Sequence, residues 1–560
     1  MSRNLDNYRS DDDSIKEELR QFDTMINEGV ICISDSDDSD HEGLGDINTV
    51  TTNDAISTGL PLCTPPMPTV KPKPRLLRQA ESEPTKRSPE TVKKQPLQFL
   101  TQPKENILSQ LTPPESTLSD TESVSSQPES VALPFPDGAV RLTQVLGAPS
   151  SPNSISLAAI LQKDTLRKAL MTTYVLDLDW VVSHISQSTK LVVVTHYDKS
   201  KGNSGVLLSD SGRIMIVHMD YGSQRMPVMH SKLMLLFYDN YVRFVASSAN
   251  LFAIDWTVLE NIVFIQDFPF THHGQKPAAK CEFGVDLVHA LKDLSVPEQV
   301  IEQLDRVDFT KAKAHIVTSI PSLQDPRRRH AKSYGLIRLK EVAAKMRRAL
   351  DPVDMVPWFN ASLYCYGSSM GKITLNYLRD FYLCALGTTQ PSYNLVKDKK
   401  TSASAEIAKN VCVGFHTQDQ GNSNKFGDVP RNSIKFHMNM YFDENYPSQR
   451  LYKITPEVPN VLVHAKVFLS RFGETGERGW IYLGSHNFTP GAWGSLKYGS
   501  EPTMRYLNNY EFGVILPDVR FESMFGRDTV TWNGSRVPLP FKLKWEQYGQ
   551  ADIPCMHQDY

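Results

Sequence analysis

The sequence predicts a mixed α/β protein of two pseudo-symmetric halves, each a mixed β-sheet flanked by helices, after a disordered N-terminal tail. Three observations support this prediction. A histidine and a lysine two residues apart, followed by an asparagine and a tryptophan six residues apart, occur twice. Strand-like apolar runs alternate with segments of helical periodicity from about residue 138 onward. Composition changes at the same point, from a region rich in Ser, Pro, Thr and Asp to an ordinary globular mixture.

Residues 1–137 are expected to form a disordered acidic tail, because they lack any sustained apolar period. Residues 1–135 hold 23 acidic and 13 basic residues, whereas the rest of the chain holds 40 and 47. Within the tail, the β-prone run Val30–Ile33 and its acidic flank resemble a motif that binds small ubiquitin-like modifier by strand addition. A chance apolar patch explains the same run equally well. Basic clusters between Lys71 and Lys94 are candidates for a nuclear localisation signal.

The composition excludes several classes of protein. No apolar run reaches 18 residues, so a transmembrane helix is not expected. The N-terminus lacks the apolar region of a secretory signal. The seven cysteines are scattered and contain no Cys-x-x-Cys pair, which is typical of a reduced intracellular protein without disulfides or a cysteine zinc site.

The first half is assigned to residues 138–322. Apolar periodicity predicts helices at Ile155–Met171 and Phe283–Leu294. Continuous or alternating apolar runs predict strands, namely Leu191–Thr195, Arg213–His218, Leu233–Phe237, Val242–Ala246, Asn261–Ile265 and Ala314–Thr318.

The second half is assigned to residues 323–560. Tyr334–Leu350 is predicted to be a basic helix, which is read either as a contact for a nucleic-acid backbone or as a solvated helix face. Thr388–Gly427 is expected to be loop-like, and Tyr510–Leu516 is expected to be a core strand that carries one acid, Glu511.

The first copy of the repeated unit contains His230 and Lys232, which lie two residues apart at the head of an apolar strand. Side chains at that spacing project from the same face of a strand. Asn250 follows the return strand, and Trp256 lies six residues further on. One such unit alone is weak evidence, because a single strand histidine is more often structural than catalytic.

The second copy repeats this spacing and makes the case specific. His464 and Lys466 are again two apart at the head of an apolar run, and Trp493 again lies six residues after an asparagine, Asn487. Two units in register predict one site where the two halves meet.

These residue types suit cleavage of a phosphodiester. Lys232 and Lys466 can neutralise the phosphate oxygens, and the two asparagines can donate hydrogen bonds to them. One imidazole can attack phosphorus while the other protonates the leaving oxygen. Metal binding is the main chemical alternative, but a lysine beside each histidine disfavours a cation, and carboxylates are scarce in both units.

The same residues resemble the phospholipase D superfamily. Its signature is a pair of His-x-Lys units, each followed by an asparagine, and GSHN at 484–487 is similar to its G-S-x-N element. Phospholipases carry an aspartate five residues after the lysine, where this sequence has Phe237 and Arg471. That departure is characteristic of the tyrosyl-DNA phosphodiesterase branch. Further similar stretches, within a resemblance that spans 138–560, are YVLDLDW (174–180), HSKLMLL (230–236), SANLFAIDW (248–256), YGSSMG (366–371) and NYEFGV (509–514).

The resemblance implies a monomeric, nuclear DNA-repair enzyme that needs no cofactor or metal. Such an enzyme hydrolyses the bond between a DNA 3′-phosphate and a tyrosine in peptides left by stalled topoisomerase I, and leaves a 3′-phosphate. It acts on 3′-blocked ends of single- and double-stranded DNA. The implied roles are nucleophile for His230 and acid–base for His464, through a phosphohistidine.

The resemblance also assigns supporting residues. Lys232, Lys466 and the two asparagines would hold the phosphate, and Glu511 would orient His230. Alignment on Trp256 places Asn261 where the family supports the second histidine. Tyr174 and Ser369 fall where the family contacts DNA. Two other functions remain open, a phospholipase D-type lipid or general phosphodiesterase and a repair scaffold without activity.

Overall fold

The computed structural model describes residues 99–101, 132–196, 205–219, 221, 227–271, 281–321, 334–350, 361–390, 402–498, 502–524 and 527–556. In chain order the strands are β1 (Phe99–Thr101), β2 (Ala139–Thr143), β3 (Ser154–Ile155), β4 (Lys168–Thr173), β5 (Lys190–Thr195), β6 (Val206–Ser209), β7 (Ile214–His218), β8 (Val228–Met229), β9 (Leu233–Phe237), β10 (Tyr241–Ser247), β11 (Ile262–Pro269), β12 (His315–Ser319), β13 (Ser362–Tyr366), β14 (Ser369–Met370), β15 (Val411–Phe415), β16 (Lys435–Phe436), β17 (Leu451–Lys453), β18 (Val467–Phe472), β19 (Arg478–Gly484), β20 (Ser495–Lys497), β21 (Thr503–Arg505), β22 (Asn509–Met524), β23 (Arg527–Trp532), β24 (Ser535–Arg536) and β25 (Glu546–Gln547).

The helices of the described residues are numbered in the same way. They are α1 (Leu157–Leu161), α2 (Leu178–Ser183), α3 (Ala253–Thr257), α4 (Glu282–Asp293), α5 (Glu298–Ile301), α6 (Gly335–Leu350), α7 (Leu375–Ala385), α8 (Ala403–Ala408), α9 (Gln418–Asn422), α10 (Asp428–Arg431), α11 (Met438–Tyr441) and α12 (Pro490–Trp493). Two 3-10 turns lie at Glu302–Arg306 and Ser448–Arg450. In the described part of the chain, no helix is long and apolar enough to cross a bilayer.

Two large mixed sheets form the framework, as the α/β prediction requires. Among the described residues, the first sheet has ten strands in the order β1-β6-β7-β5-β4-β9-β10-β11-β2-β3. The second has eleven, in the order β24-β23-β22-β19-β18-β13-β15-β17-β25, with β12 and β8 both paired to β22. The long strand β22 therefore pairs with two strands, β8 and β12, that come from the part of the chain assigned to the first half.

The duplicated units fold into equivalent hairpins, β9–β10 and β18–β19. In the first hairpin, Leu233 follows Lys232 and pairs with Ala246, four residues before Asn250. In the second, Val467 follows Lys466 and pairs with Leu483, four residues before Asn487. The predicted strand–turn–strand units are confirmed, and strand register places each asparagine beside its own lysine strand.

Short parallel pairings join each hairpin to the opposite half. Strand β8, just before His230, pairs with Asn509 and Tyr510 of β22. Conversely, Val463, just before His464, forms a parallel bridge with Glu260 of the first half. Each candidate histidine is therefore held at the edge of the other half.

The sheets share an apolar core that contains residues from both halves. Phe244 of β10 lies 5.9 Å from Phe512 of β22, and Phe264 of β11 lies 5.8 Å from Trp532 of β23, measured between ring centroids. Separate clusters cover the remaining parts of the two halves. The face-to-face packing of the sheets fixes the relative position of the two hairpins.

Two predictions about local structure are wrong. The helix predicted over Ile155–Met171 is confined to α1, and Lys168–Thr173 is strand β4. Strand β4 lies between β5 and β9 and is buried on both faces, so its sequence lacks the polar alternation that reveals a strand. The predicted loop Thr388–Gly427 contains α8, β15 and α9, because β15 is a similarly buried parallel strand beside β13.

The division of the chain into residues 1–137, 138–322 and 323–560 stays a prediction. Two strands pair with a sheet outside the region to which this division assigns them. Strand β12 precedes residue 322, yet it pairs with β22 of the second sheet. Strand β1 lies within the predicted tail, yet it pairs with β6 of the first sheet. Val30–Ile33 and the basic clusters between Lys71 and Lys94 lie outside the described residues.

Phe244→Ala tests the shared core. The ring is fully buried and contacts Phe512 across the two sheets, so its removal should lower the free energy of unfolding by about 3–5 kcal/mol in urea titrations. Phe442→Ala is the matched control, because that ring is 68% exposed and its loss should change stability by less than about 0.5 kcal/mol. Equal effects of the two substitutions would contradict a shared core.

Candidate active site

His230 lies between β8 and β9 and is almost fully buried. Its backbone N–H donates to the carbonyl oxygen of Tyr510 at 2.9 Å. Its ring Nδ1 lies 2.9 Å from Oε2 and 3.0 Å from Oε1 of Glu511. An ionised carboxylate only accepts hydrogen bonds, so Nδ1 of His230 carries a proton. Nε2 is the ring nitrogen that does not face Glu511, and it is the atom suited to nucleophilic attack.

Glu511 is itself held on both oxygens. The hydroxyl of Ser485 donates to Oε2, and the side-chain amide of Asn509 donates to Oε1 at 3.1 Å. Burial alone would raise the pKa of Glu511, but the charge and hydrogen bond of His230, helped by His486 and Lys232, leave that pKa below its ordinary value. The carboxyl is therefore ionised at neutral pH and fixes the tautomer of His230.

His464 has the equivalent arrangement in the second unit. Its backbone N–H donates to the carbonyl oxygen of Glu260 at 2.9 Å, and its Nδ1 lies 3.1 Å from Oδ1 of Asn261. The amide of Asn261 has one orientation, since its Nδ2 donates to the carbonyl oxygen of Asp255 at 2.8 Å. Oδ1 also accepts from the hydroxyl of Ser248 at 2.7 Å. Nδ1 of neutral His464 is thus the protonated ring nitrogen.

The two supports are equivalent in backbone position. Glu511 follows Tyr510, whose carbonyl oxygen accepts from His230, and Asn261 follows Glu260, whose carbonyl oxygen accepts from His464. A carboxylate therefore faces one histidine where an amide faces the other. The two rings are held alike but are electrostatically unequal.

Both lysines are buried beside their histidines. Nζ of Lys232 donates to the carbonyl oxygen of His230 at 2.9 Å, and Nζ of Lys466 donates to that of His464 at 2.8 Å. Nζ of Lys466 also lies 3.1 Å from Nε2 of His464. Two buried ammonium groups make a site that is suited to an anion.

The electrostatic surroundings of His464 include both units. Burial lowers its pKa well below the ordinary value, and the charges of Lys466, Lys232 and Lys435 lower it further. Lys232 belongs to the first unit, so its field reaches the histidine of the second. Without substrate, the imidazole of His464 is neutral at pH 7.

The asparagines use their polar groups differently. Nδ2 of Asn250 donates to Oδ2 of Asp255 at 3.0 Å, and its Oδ1 accepts from the backbone N–H of Val175 at 3.3 Å. Oδ1 of Asn487 accepts from the backbone N–H of Ser369 at 3.2 Å and from the hydroxyl of Ser368 at 3.3 Å. Both bonds of Asn487 occupy its oxygen, which leaves its NH₂ group as the donor toward an anion.

The predicted DNA contacts lie at the edges of this site. The ring of Tyr174 is half-buried and lies 5.8 Å from the ring of His230 and 5.2 Å from that of His196. Ser369 belongs to β14, and its backbone N–H reaches Asn487. Helix α7 is capped instead by Thr374, so capping does not explain Ser369. All ten residues singled out from the sequence lie around this site.

Asp255 was missed by the sequence analysis. It is fully buried in α3, and its Oδ2 accepts from the backbone N–H of Asn250 at 2.6 Å and lies 3.6 Å from Nδ1 of His464. The sequence contains a signal for Asp255, because Asp255 directly precedes Trp256 whereas Ala492 precedes Trp493. This signal is a difference between the two copies, and the shared residues of the repeat do not reveal it. Among the described residues, no group of three His, Cys, Asp or Glu side chains could hold a metal ion.

Comparison with known proteins gives concordant results. The model of the tyrosyl-DNA phosphodiesterase family matches residues 139–549. Tyrosyl-DNA phosphodiesterase 1 of Arabidopsis thaliana is 22% identical over 477 residues, which cover 74% of this chain and 73% of that protein. The crystal structure of yeast tyrosyl-DNA phosphodiesterase has a TM-score of 0.55 at 16% identity, and covers 74% of this chain and 99% of the yeast chain. A mutant of the yeast protein gives 0.56, also at 16% identity, with 75% and 99% covered.

His486 provides a test of the buried surroundings of Glu511. Its Nε2 lies 2.9 Å from the hydroxyl of Ser319, and burial lowers its pKa to about 3. In the unfolded chain His486 takes up a proton below about pH 6.5, whereas in the folded protein it does so only below about pH 3. The free energy of unfolding therefore falls as pH falls through that window. His486→Gln should therefore flatten the fall in unfolding free energy between pH 6.5 and 4 by up to about 1.4 kcal/mol per pH unit. Parallel urea-derived curves for the two proteins would contradict this.

Proposed function

The chain is a member of the tyrosyl-DNA phosphodiesterase family, and from this premise we propose that it hydrolyses the bond between a DNA 3′-phosphate and a tyrosine in DNA repair. One observation carries the proposal. Two buried histidines each have Nδ1 held by the opposite half and a buried lysine beside them, and this arrangement supports a single anion-binding site. The substrate is then a tyrosine-linked 3′-end, as topoisomerase I leaves when it stalls, in single- or double-stranded DNA.

In the first step His230 is the nucleophile. Its Nε2 lone pair forms a bond to phosphorus while the bond from phosphorus to the tyrosine oxygen breaks. Nε2 of His464 gives its proton to that oxygen, so tyrosine leaves as a neutral phenol. Glu511 stabilises the charge that develops on the ring of His230.

In the second step His464 acts as a base. It is neutral after the first step and takes a proton from water as the water oxygen attacks phosphorus. The bond between phosphorus and Nε2 of His230 breaks, and DNA leaves with a 3′-phosphate. His230 regains its Nε2 lone pair, and His464 again carries the proton with which the first step began, which it releases to solvent when the phosphate leaves.

Substrate charge makes the first step possible. The pKa of His464 is lowered by burial and by the charges of Lys466, Lys232 and Lys435, so the free enzyme holds it neutral. A bound phosphodiester places a negative charge between the lysines and offsets their field, which raises the pKa of His464. Lys232, Lys466, Asn250 and Asn487 would thus bind the phosphate, and this charge balance supports a mechanism without a metal.

The remaining assignments are also proposals. Tyr174 would lie against the DNA strand beside the scissile phosphate, and Ser369 would contact the strand next to Asn487. A single chain contains both sets of histidine, lysine and asparagine, which supports action as a monomer. Nuclear localisation follows from the repair function, and binding of small ubiquitin-like modifier is proposed for Val30–Ile33, outside the described residues.

A single-turnover assay tests the function. The full chain is incubated with an oligonucleotide that carries a 3′-phosphotyrosine, in excess chelator. We expect release of tyrosine and a DNA 3′-phosphate, because the lysines and histidines supply all the charge and protons required. No product from the full chain would refute the proposed activity, and product that disappears with chelator would refute the metal-free mechanism.

The division of roles predicts different behaviour for the two histidine variants. His230→Ala should abolish the first step, by about 10³-fold or more, and trap no DNA. His464→Ala should still react with a good leaving group but accumulate a covalent DNA–protein adduct on His230, visible by denaturing electrophoresis and mass spectrometry. Equal residual rates without any adduct would contradict the assignment.

A further inference from the structure

Asp255 is a buried carboxyl that the two steps above do not use. It lies in the short helix α3, and no part of its side chain is exposed. Its Oδ2 accepts two hydrogen bonds from Asn250, from the backbone N–H at 2.6 Å and from Nδ2 at 3.0 Å. The same oxygen lies 3.6 Å from Nδ1 of His464. Asp255 therefore joins the asparagine of the first unit to the histidine of the second.

Burial of an acid at this place needs an explanation. An unpaired buried carboxylate is costly, and a residue whose only task was to hold a loop could be an amide. The pKa of Asp255 stays above its ordinary value because of burial, although the hydrogen bonds of Asn250 and the charges of Lys466 and Lys232 lower it. The groups around it are thus two cations, an amide and the ring of His464.

The two units differ at this position. Ala492 precedes Trp493 in the second unit, where Asp255 precedes Trp256 in the first. The second half instead contributes Glu511, whose carboxylate contacts His230 of the first unit. Asp255 provides the reciprocal contact, because it places a carboxylate of the first unit near His464 of the second.

The chemistry of His464 requires such a group. It must carry a proton when tyrosine leaves, yet burial and the neighbouring lysines favour its neutral form. The amide oxygen of Asn261 orients Nδ1 but brings no net charge. A carboxylate 3.6 Å from the same Nδ1 stabilises the imidazolium directly.

We propose that Asp255 is the positioning residue that holds His464 in its protonated form for departure of the tyrosine. This inference rests on the proposed function and adds a specific role in its first step. Protonation of tyrosine matters because phenolate is a poor leaving group, with a pKa of about 10. A leaving group that departs readily as an anion does not need the proton. Asp255 should therefore matter in proportion to the basicity of the leaving group.

The test compares two substrates in Asp255→Asn, which preserves the size of the side chain. Single-turnover rates are measured with oligonucleotides that end in 3′-phosphotyrosine or in a 3′-p-nitrophenyl phosphate. We expect the phosphotyrosyl rate to fall at least about tenfold, because general-acid catalysis contributes about 10²–10⁴-fold. The p-nitrophenyl rate should change by less than about threefold.

Asp286→Asn is the matched control. Asp286 is also a buried carboxylate, but it lies in α4 and accepts from Arg338 at 2.6 Å, away from the candidate site. Its replacement should affect both substrates equally. If Asp255→Asn fails to fold, Asp255→Ala is assayed with added formate, which should restore the phosphotyrosyl rate more than formamide does.

The outcomes separate this inference from the function on which it rests. A loss confined to the phosphotyrosyl substrate supports the role of Asp255. Equal losses on both substrates, or equal rescue by formate and formamide, would overturn that role while the wild-type activity stands. Wild-type protein that is inactive on both substrates would overturn the proposed function itself.

Discussion

The reciprocal pairing of the two halves is the constraint on which the site depends. The backbone N–H of His230 is bonded to Tyr510 of the second half, and that of His464 is bonded to Glu260 of the first. Each bond brings the following residue, Glu511 or Asn261, against the ring of the paired histidine. Nδ1 of each histidine is held by a residue of the other half, so a functional site requires both sheets to be folded and packed together.

Electrostatics then distinguishes the two histidines. Glu511 keeps a negative charge at His230, and in the proposed mechanism this charge stabilises the ring once Nε2 is bonded to phosphorus. Nδ1 of His464 contacts the neutral amide of Asn261, the carboxyl of Asp255 lies further away, and the surrounding lysines produce a cationic field. In the proposed mechanism, protonation of His464 therefore depends on the charge of the bound phosphate. Burial of two ammonium groups costs free energy, which the proposed phosphodiester substrate would offset. In this mechanism, binding of the substrate and protonation of His464 are coupled.

Local sequence patterns predicted the two hairpins and their site residues, but not the features that depend on pairing between strands far apart in the sequence. The hairpins and their residues could be predicted because spacing within each copy fixes strand register. Strand β4 could not be predicted, since a strand buried on both faces has no alternation of polar and apolar residues. The pairing of β12 with β22 could not be predicted either, because the two strands lie far apart in the sequence. Asp255 was missed for a different reason, because it has no counterpart in the second copy. A difference between duplicated units is itself a signal when the two copies perform different steps.

The most direct test of reciprocal support is the NMR signal of the two imidazole Nδ1 protons in the free, ¹⁵N-labelled protein. The account predicts a downfield, exchange-protected Nδ1 proton on each of His230 and His464. Glu511→Gln, a change 281 residues from His230, should move only the His230 signal upfield, and Asn261→Ala should shift only the His464 signal. Absence of both protected protons, or equal effects of either substitution on both signals, would contradict the account.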